Sequence, residues 1–165
     1  MGSTTKSRQH PDFPPLQSTA QGPTVAITGG NFANPNETAP KISPRIEWIH
    51  ELRFAAAHFY SNSAWTEAKN REIFGKCFTP YGHGHNYRLV FFLQVEPDEE
   101  FLRAANAVVE ELDHQHLNFV IEFFKTHIPT TENIATYIWH KLQDQAQLRG
   151  IRLYEMDDLW VTIRK

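Results

Sequence analysis

The sequence predicts an α+β layer pair: a four-stranded antiparallel sheet with two helices on one face. Three observations lead there. Apolar and aromatic residues crowd two strand-like runs, 46–59 and about 83–95. Two later segments repeat apolar residues at helical spacing, 101–112 and 134–142. Two short strand-like runs, about 151–156 and 158–164, close the chain. The order strand, strand, helix, helix, strand, strand suits a sheet that buries one face under a helical layer.

Residues 1–45 stand apart from this pattern. They hold seven of the ten prolines and neither Trp nor Tyr. Such a segment buries too little apolar area to offset the entropy of ordering it. It is expected to be a disordered tail, leaving a single folded domain over 46–165.

The first strand shows partial alternation, Ile46 and Trp48, then Leu52 and Phe54, and is expected to end near His58. A polar stretch, 60–76, follows, with a short helix around Glu67–Phe74. The second strand starts at His83-Gly84-His85 and runs through Leu89, Val90, Phe91, Phe92 and Leu93. Pro97-Asp98-Glu99-Glu100 opens a helix, with a proline early and acids in its first turn. Phe101, Leu102, Ala105, Val108, Val109 and Leu112 form its buried stripe, and Asp113-His114 closes it. Thr130 is the expected N-cap of the next helix, whose stripe is Ile134, Ile138 and Leu142. Gly150 is expected to end it.

Composition excludes several classes. Sixteen basic and nineteen acidic residues give a net charge of −3, without the clustered basic surface that nucleic acid requires. No apolar run approaches a membrane span, and 24–28 is too short for a signal-peptide core. A lone cysteine, Cys77, cannot form an intramolecular disulfide, so a reducing cytoplasm is the expected location.

The chemistry concentrates between Gly75 and Tyr87. His83 and His85 are two apart at the head of a strand, so both imidazoles point to one face. In an antiparallel pair the end of the first strand lies opposite the start of the second, which puts His58 across from them. Three histidines are a set that a catalytic zinc takes, leaving one position open; ordinary surface or satisfied histidines are the alternative reading. Cys77 precedes His83 by six residues. It is an inert small hydrophobe, a fourth metal ligand, or a base whose pKa is lowered by nearby positive charge; the spacing does not choose. Asp113-His114 is either an acid–base pair or a histidine placed at a helix end by the dipole. Glu155 has the chemistry to accept two N–H bonds from a guanidine-like edge, although a solvent-facing edge residue is the simpler reading.

These pieces together resemble the 6-pyruvoyl-tetrahydropterin synthase and 6-carboxytetrahydropterin synthase family. The matching stretches are Phe54-Ala55-Ala56-Ala57-His58, Phe74-Gly75-Lys76-Cys77 and Gly82-His83-Gly84-His85-Asn86-Tyr87. Leu112-Asp113-His114-Gln115-His116-Leu117-Asn118, Pro129-Thr130-Thr131-Glu132-Asn133-Ile134-Ala135 and Tyr154-Glu155 follow in family order. Met156 stands where the family pattern has threonine, and the segment ahead of Leu112 is shorter than usual. The resemblance implies the tunnelling fold (T-fold), with subunits joined edge to edge into trimers that pair as a homo-hexamer. It implies Zn2+ on His58, His83 and His85. Cys77 would be the base, with Asp113 and His114 as its relay from an adjacent subunit. Glu155 would anchor the pterin, near Thr130 and Thr131. The implied substrate is 7,8-dihydroneopterin triphosphate, and the six-residue step from Cys77 to His83 favours the 6-pyruvoyl product. A 6-carboxy product with release of acetaldehyde, as in queuosine and deazaguanine synthesis, is the alternative. A non-catalytic pterin- or purine-binding module is the alternative of another class.

Overall fold

A computed structural model describes residues 47–165; the expected tail, 1–45, lies outside the described residues. Strand β1, Trp48–His58, alternates as the pattern requires. Phe54, Ala56 and His58 are buried, whereas Ile49, Glu51 and Arg53 face outward and are exposed. Helix α1, Glu67–Phe74, is capped by Thr66 and occupies the predicted span. A single 3-10 turn, Gly75–Cys77, follows it. Strand β2, His83–Leu93, pairs antiparallel with β1 over its whole length, placing His58 opposite His83 and Phe54 opposite Tyr87.

Helix α2, Glu99–Leu112, begins at Asp98, whose carboxylate accepts the Phe101 N–H at 2.9 Å. Phe101, Ala105, Val108, Val109 and Leu112 are its buried stripe. The chain then forms β3, only Gln115–His116, which runs parallel to β1 beside Ala56 and Ala57. Two short turns follow, helix α3 at Leu117–Val120 and a 3-10 turn at Glu122–Lys125; they bury Leu117 and Phe124. Helix α4, Thr131–Leu142, starts at the predicted cap, Thr130. Strands β4, Leu148–Met156, and β5, Leu159–Arg164, complete the sheet.

The strand order is β3-β1-β2-β4-β5. The sheet therefore has five strands and is mixed, where four antiparallel strands were expected. The added strand is two residues long, too short to show a period in sequence, and tertiary hydrogen bonds create it. Gly150 does not end α4. That helix stops at Leu142, and Gly150 sits inside β4 opposite Phe92. A Cβ there would come within 2.5 Å of the Ile163 carbonyl oxygen, so close strand approach requires the glycine.

Helix α2 packs on β1, α4 packs on β4 and β5, and both lie on one face of the sheet. Leu89, Phe91 and Leu93 of β2 are fully buried beneath them, with Phe101, Ile134 and Ile138. Each such large apolar side chain contributes about 1.5–3 kcal/mol. Arg88 lies 3.6 Å over the Tyr154 ring and Arg164 lies 3.6 Å over the Phe92 ring; all four residues belong to the opposite face. No helix of the described residues is long and apolar enough to cross a membrane.

Candidate metal centre and active site

The inward face of the sheet ends in imidazoles. The alternation that buries Phe54 and Ala56 also buries His58, which has no exposed surface. From across the ladder His83 and His85 reach the same point, and one ring nitrogen from each of the three lies within 4.8 Å of the other two. The Nε2 atoms of His58 and His83 are 3.2 Å apart. Gly82 makes the approach possible. Its φ is +72°, and a Cβ would fall 2.9 Å from the His58 carbonyl oxygen and 2.7 Å from His116 Nε2.

Burial, reinforced by His83 and His85, pulls the His58 pKa down to about 3, against the opposing pull of the Pro129 carbonyl. His83 is lowered by burial and then by His85, with Glu155 opposing. Both rings are thus held neutral, the form that binds metal. Tyr87, itself buried, places its hydroxyl 3.2 Å from His58 Nδ1 and leaves Nε2 facing the cluster. His85 Nε2 is buried and forms no aligned hydrogen bond, although Glu155 Oε1 lies 3.1 Å away. Three imidazole nitrogens that converge on one point would be satisfied together by a cation. The donor set fits a metal ion.

Glu155 borders this cluster, and the solvent-facing reading of it is overturned. It is 6% exposed, because β5 covers the outer edge of β4 and Glu155 shares the inward face of Ile151 and Leu153. The β4–β5 register shifts between Tyr154 and Met156, which frees Glu155 from the ladder. Its Oε1 lies 3.1 Å from His85 Nε2 and 3.9 Å from His58 Nε2. Its Oε2 accepts a hydrogen bond from the buried Thr131 hydroxyl. Thr130 is differently engaged: its Oγ1 caps α4 by accepting the Asn133 N–H at 3.4 Å.

Cys77 ends the 3-10 turn and is half-buried. Its carbonyl accepts the Tyr60 N–H at 2.8 Å, tying the turn to the segment that follows β1. Burial, then Glu155, pushes the thiol up, opposite to the lowering that the base reading invokes. Among the described residues Cys77 is not part of the histidine cluster.

Asp113 and His114 sit elsewhere. Asp113 Oδ1 accepts the Ala55 N–H at 2.8 Å and its Oδ2 is 2.7 Å from His114 Nδ1. Those bonds, the backbone one first, hold its carboxyl below the usual range. The His114 N–H donates to the Ala55 carbonyl at 2.6 Å, and the residue takes a φ of 57°, rare outside glycine. The imidazole is left 81% exposed. No hydrogen bond joins either residue to Cys77 among the described residues.

Two tyrosines of the site were not singled out from sequence. Tyr87 follows the His-Gly-His by two residues and so shares its face, a signal that periodicity carries. Tyr60 lies two beyond His58, with ring centroids 5.1 Å apart. It stands in a polar stretch without strand pattern. Burial, then Glu155, Cys77 and Glu132, push its pKa up.

Comparison with known proteins agrees with this architecture. Residues 48–165 match the family model described as 6-pyruvoyl tetrahydropterin synthase. The chain is 33% identical over 120 residues to a 6-pyruvoyl tetrahydrobiopterin synthase of Pongo abelii, covering 65% of this chain and 83% of that one. It is 32% identical over 120 residues to the Homo sapiens protein of the same name, with the same coverage. The solved 6-pyruvoyl tetrahydropterin synthase of Caenorhabditis elegans superposes with a TM-score of 0.67 at 30% identity, over 74% of this chain and 96% of that one. An uncharacterized protein from Wolinella succinogenes shares the fold at 12% identity and a TM-score of 0.52, covering 72% of this chain and 97% of that one. The chain belongs to the 6-pyruvoyl tetrahydropterin synthase family.

Proposed function

We propose that the protein is a zinc-dependent lyase that converts 7,8-dihydroneopterin triphosphate to 6-pyruvoyl-tetrahydropterin with loss of triphosphate. The observation that carries the reading is the convergence of His58, His83 and His85 beside the buried carboxylate of Glu155, in a chain of this family. Zinc held by the three histidines would act as a Lewis acid on the side-chain oxygens of the substrate.

The chain's own residues supply the rest. Glu155, held by Thr131, accepts N–H bonds from the guanidine-like edge of the pterin and fixes the ring. Thr130 supports that end by capping α4. Cys77 moves a proton at the substrate side chain. Asp113 holds the His114 ring by one nitrogen and leaves the other to exchange protons.

The exposed His114 serves the Cys77 of a neighbouring subunit in this reading. The open edges favour such an assembly. Among the described residues β3 covers β1 only at Ala56 and Ala57, and β5 is unpaired on its outer side. Two unlike open edges suit head-to-tail pairing that closes into a ring, and a trimer paired into a homo-hexamer is the assembly proposed. The lone thiol suits a reducing cytoplasm.

Mass spectrometry of the products from 7,8-dihydroneopterin triphosphate tests the reading. Triphosphate and 6-pyruvoyl-tetrahydropterin are expected. A 6-carboxy product with acetaldehyde would move the protein to the carboxy reaction. Pterin binding without turnover would make it a binding module.

A further inference from the structure

Among the described residues the Tyr60 hydroxyl is a donor without a partner. Its backbone N–H is spent on the Cys77 carbonyl, at 2.8 Å, which anchors it to the residue that carries the thiol. Its ring meets Phe74 edge-on at 5.8 Å and packs beside His58 at 5.1 Å and His83 at 6.5 Å. The hydroxyl makes no hydrogen bond to a described residue, nor is it among the buried unpartnered atoms. A phenol hydroxyl carries one O–H donor. Tyr87 and Thr131 have already committed their hydroxyls to His58 and Glu155.

We infer that Tyr60 is a further substrate-contacting residue, whose O–H donates to an oxygen of the three-carbon side chain at the metal end of the pocket. The inference rests on the pterin-synthase reading. The packing against His58 and His83 places Tyr60 at the metal end of the pocket. A fixed neutral donor aimed at an oxygen that gains negative charge favours the transition state over the ground state. The loss should therefore fall on kcat more than on KM.

Tyr60→Phe keeps the ring packing and removes only the hydroxyl. The expected result is wild-type zinc content and melting temperature, a nearly unchanged KM, and a kcat lower by about a hundredfold. An unchanged kcat beside an active wild-type enzyme overturns this inference alone. Loss of zinc would make Tyr60 a support for His58 and overturn it too. A rise in KM alone would overturn its placement at the reacting side chain. A wild-type protein that turns over no dihydroneopterin triphosphate overturns the pterin-synthase reading, and this inference with it.

Discussion

His58 and His83 are Cα partners across the β1–β2 ladder, and their Nε2 atoms stand 3.2 Å apart. No local segment produces that pair; it depends on the register of two strands. His58→Ala, His83→Ala and His85→Ala should each lose bound metal, measured by elemental analysis of purified protein. His140→Ala, on an exposed position of α4, should retain it. Full retention in His58→Ala would remove that residue from the site.

Cys77 is tied through its carbonyl to Tyr60, which packs on His58, and is not part of the histidine cluster. Cys77→Ala should keep near-stoichiometric metal and the native melting temperature, and lose turnover by about a hundred- to ten-thousand-fold. Metal lost in step with activity would instead make the thiol a ligand and the site a closed one.

The separation of His114 from Cys77 predicts complementation between subunits. Cys77→Ala and His114→Ala should each be nearly inactive. Unfolding the two together and refolding them as mixed oligomers should restore measurable turnover, since some interfaces would then carry an intact thiol and an intact imidazole. No recovery from mixed oligomers that form would place both residues in one subunit's site.

Asp98 gives a pH dependence that is independent of the site. Its carboxyl is held below the usual range, first by the Phe101 N–H and then by Gln147 among smaller influences. A depressed folded-state pKa contributes stability above the unfolded value of about 3.9, and that contribution is lost as pH falls through the folded value. The melting-temperature gap between wild type and Asp98→Ala should be full at pH 6 and shrink progressively below about pH 4. A gap that stays constant down to pH 2 would show that ionisation of Asp98 has no part in capping α2.

Much of this site was legible because short-range periodicity carries it. A spacing of two at a strand head puts His83 and His85 on one face, and antiparallel pairing brings the end of β1 to them. The caps at Asp98 and Thr130 were legible because side-chain oxygens and acids near a helix start act within a few residues. Gly150 was misread because a glycine after a helical stripe looks like a helix end. Its reason for being glycine is the Ile163 carbonyl on the neighbouring strand. The solvent-facing reading of Glu155 failed for a related cause. Whether β4 is an edge depends on where β5 lies, and β5 follows it in the chain without announcing which side it takes.

The sequence by itself determined the longer helices and strands, the helix starts at Asp98 and Thr130, the shared face of His83 and His85 and the identity of the three imidazoles, because each follows from residue chemistry at fixed local spacing. Only the tertiary structure decided what those residues do to one another. Packing put Glu155 3.1 Å from His85, brought Tyr60 against His58, and turned Asp113-His114 outward by tying both to Ala55. His85 and Glu155 are 70 residues apart, and His58, 3.9 Å from the same carboxylate, is 97 residues from it. Their geometry is set by sheet order and helix packing, which residue spacing along the chain does not encode.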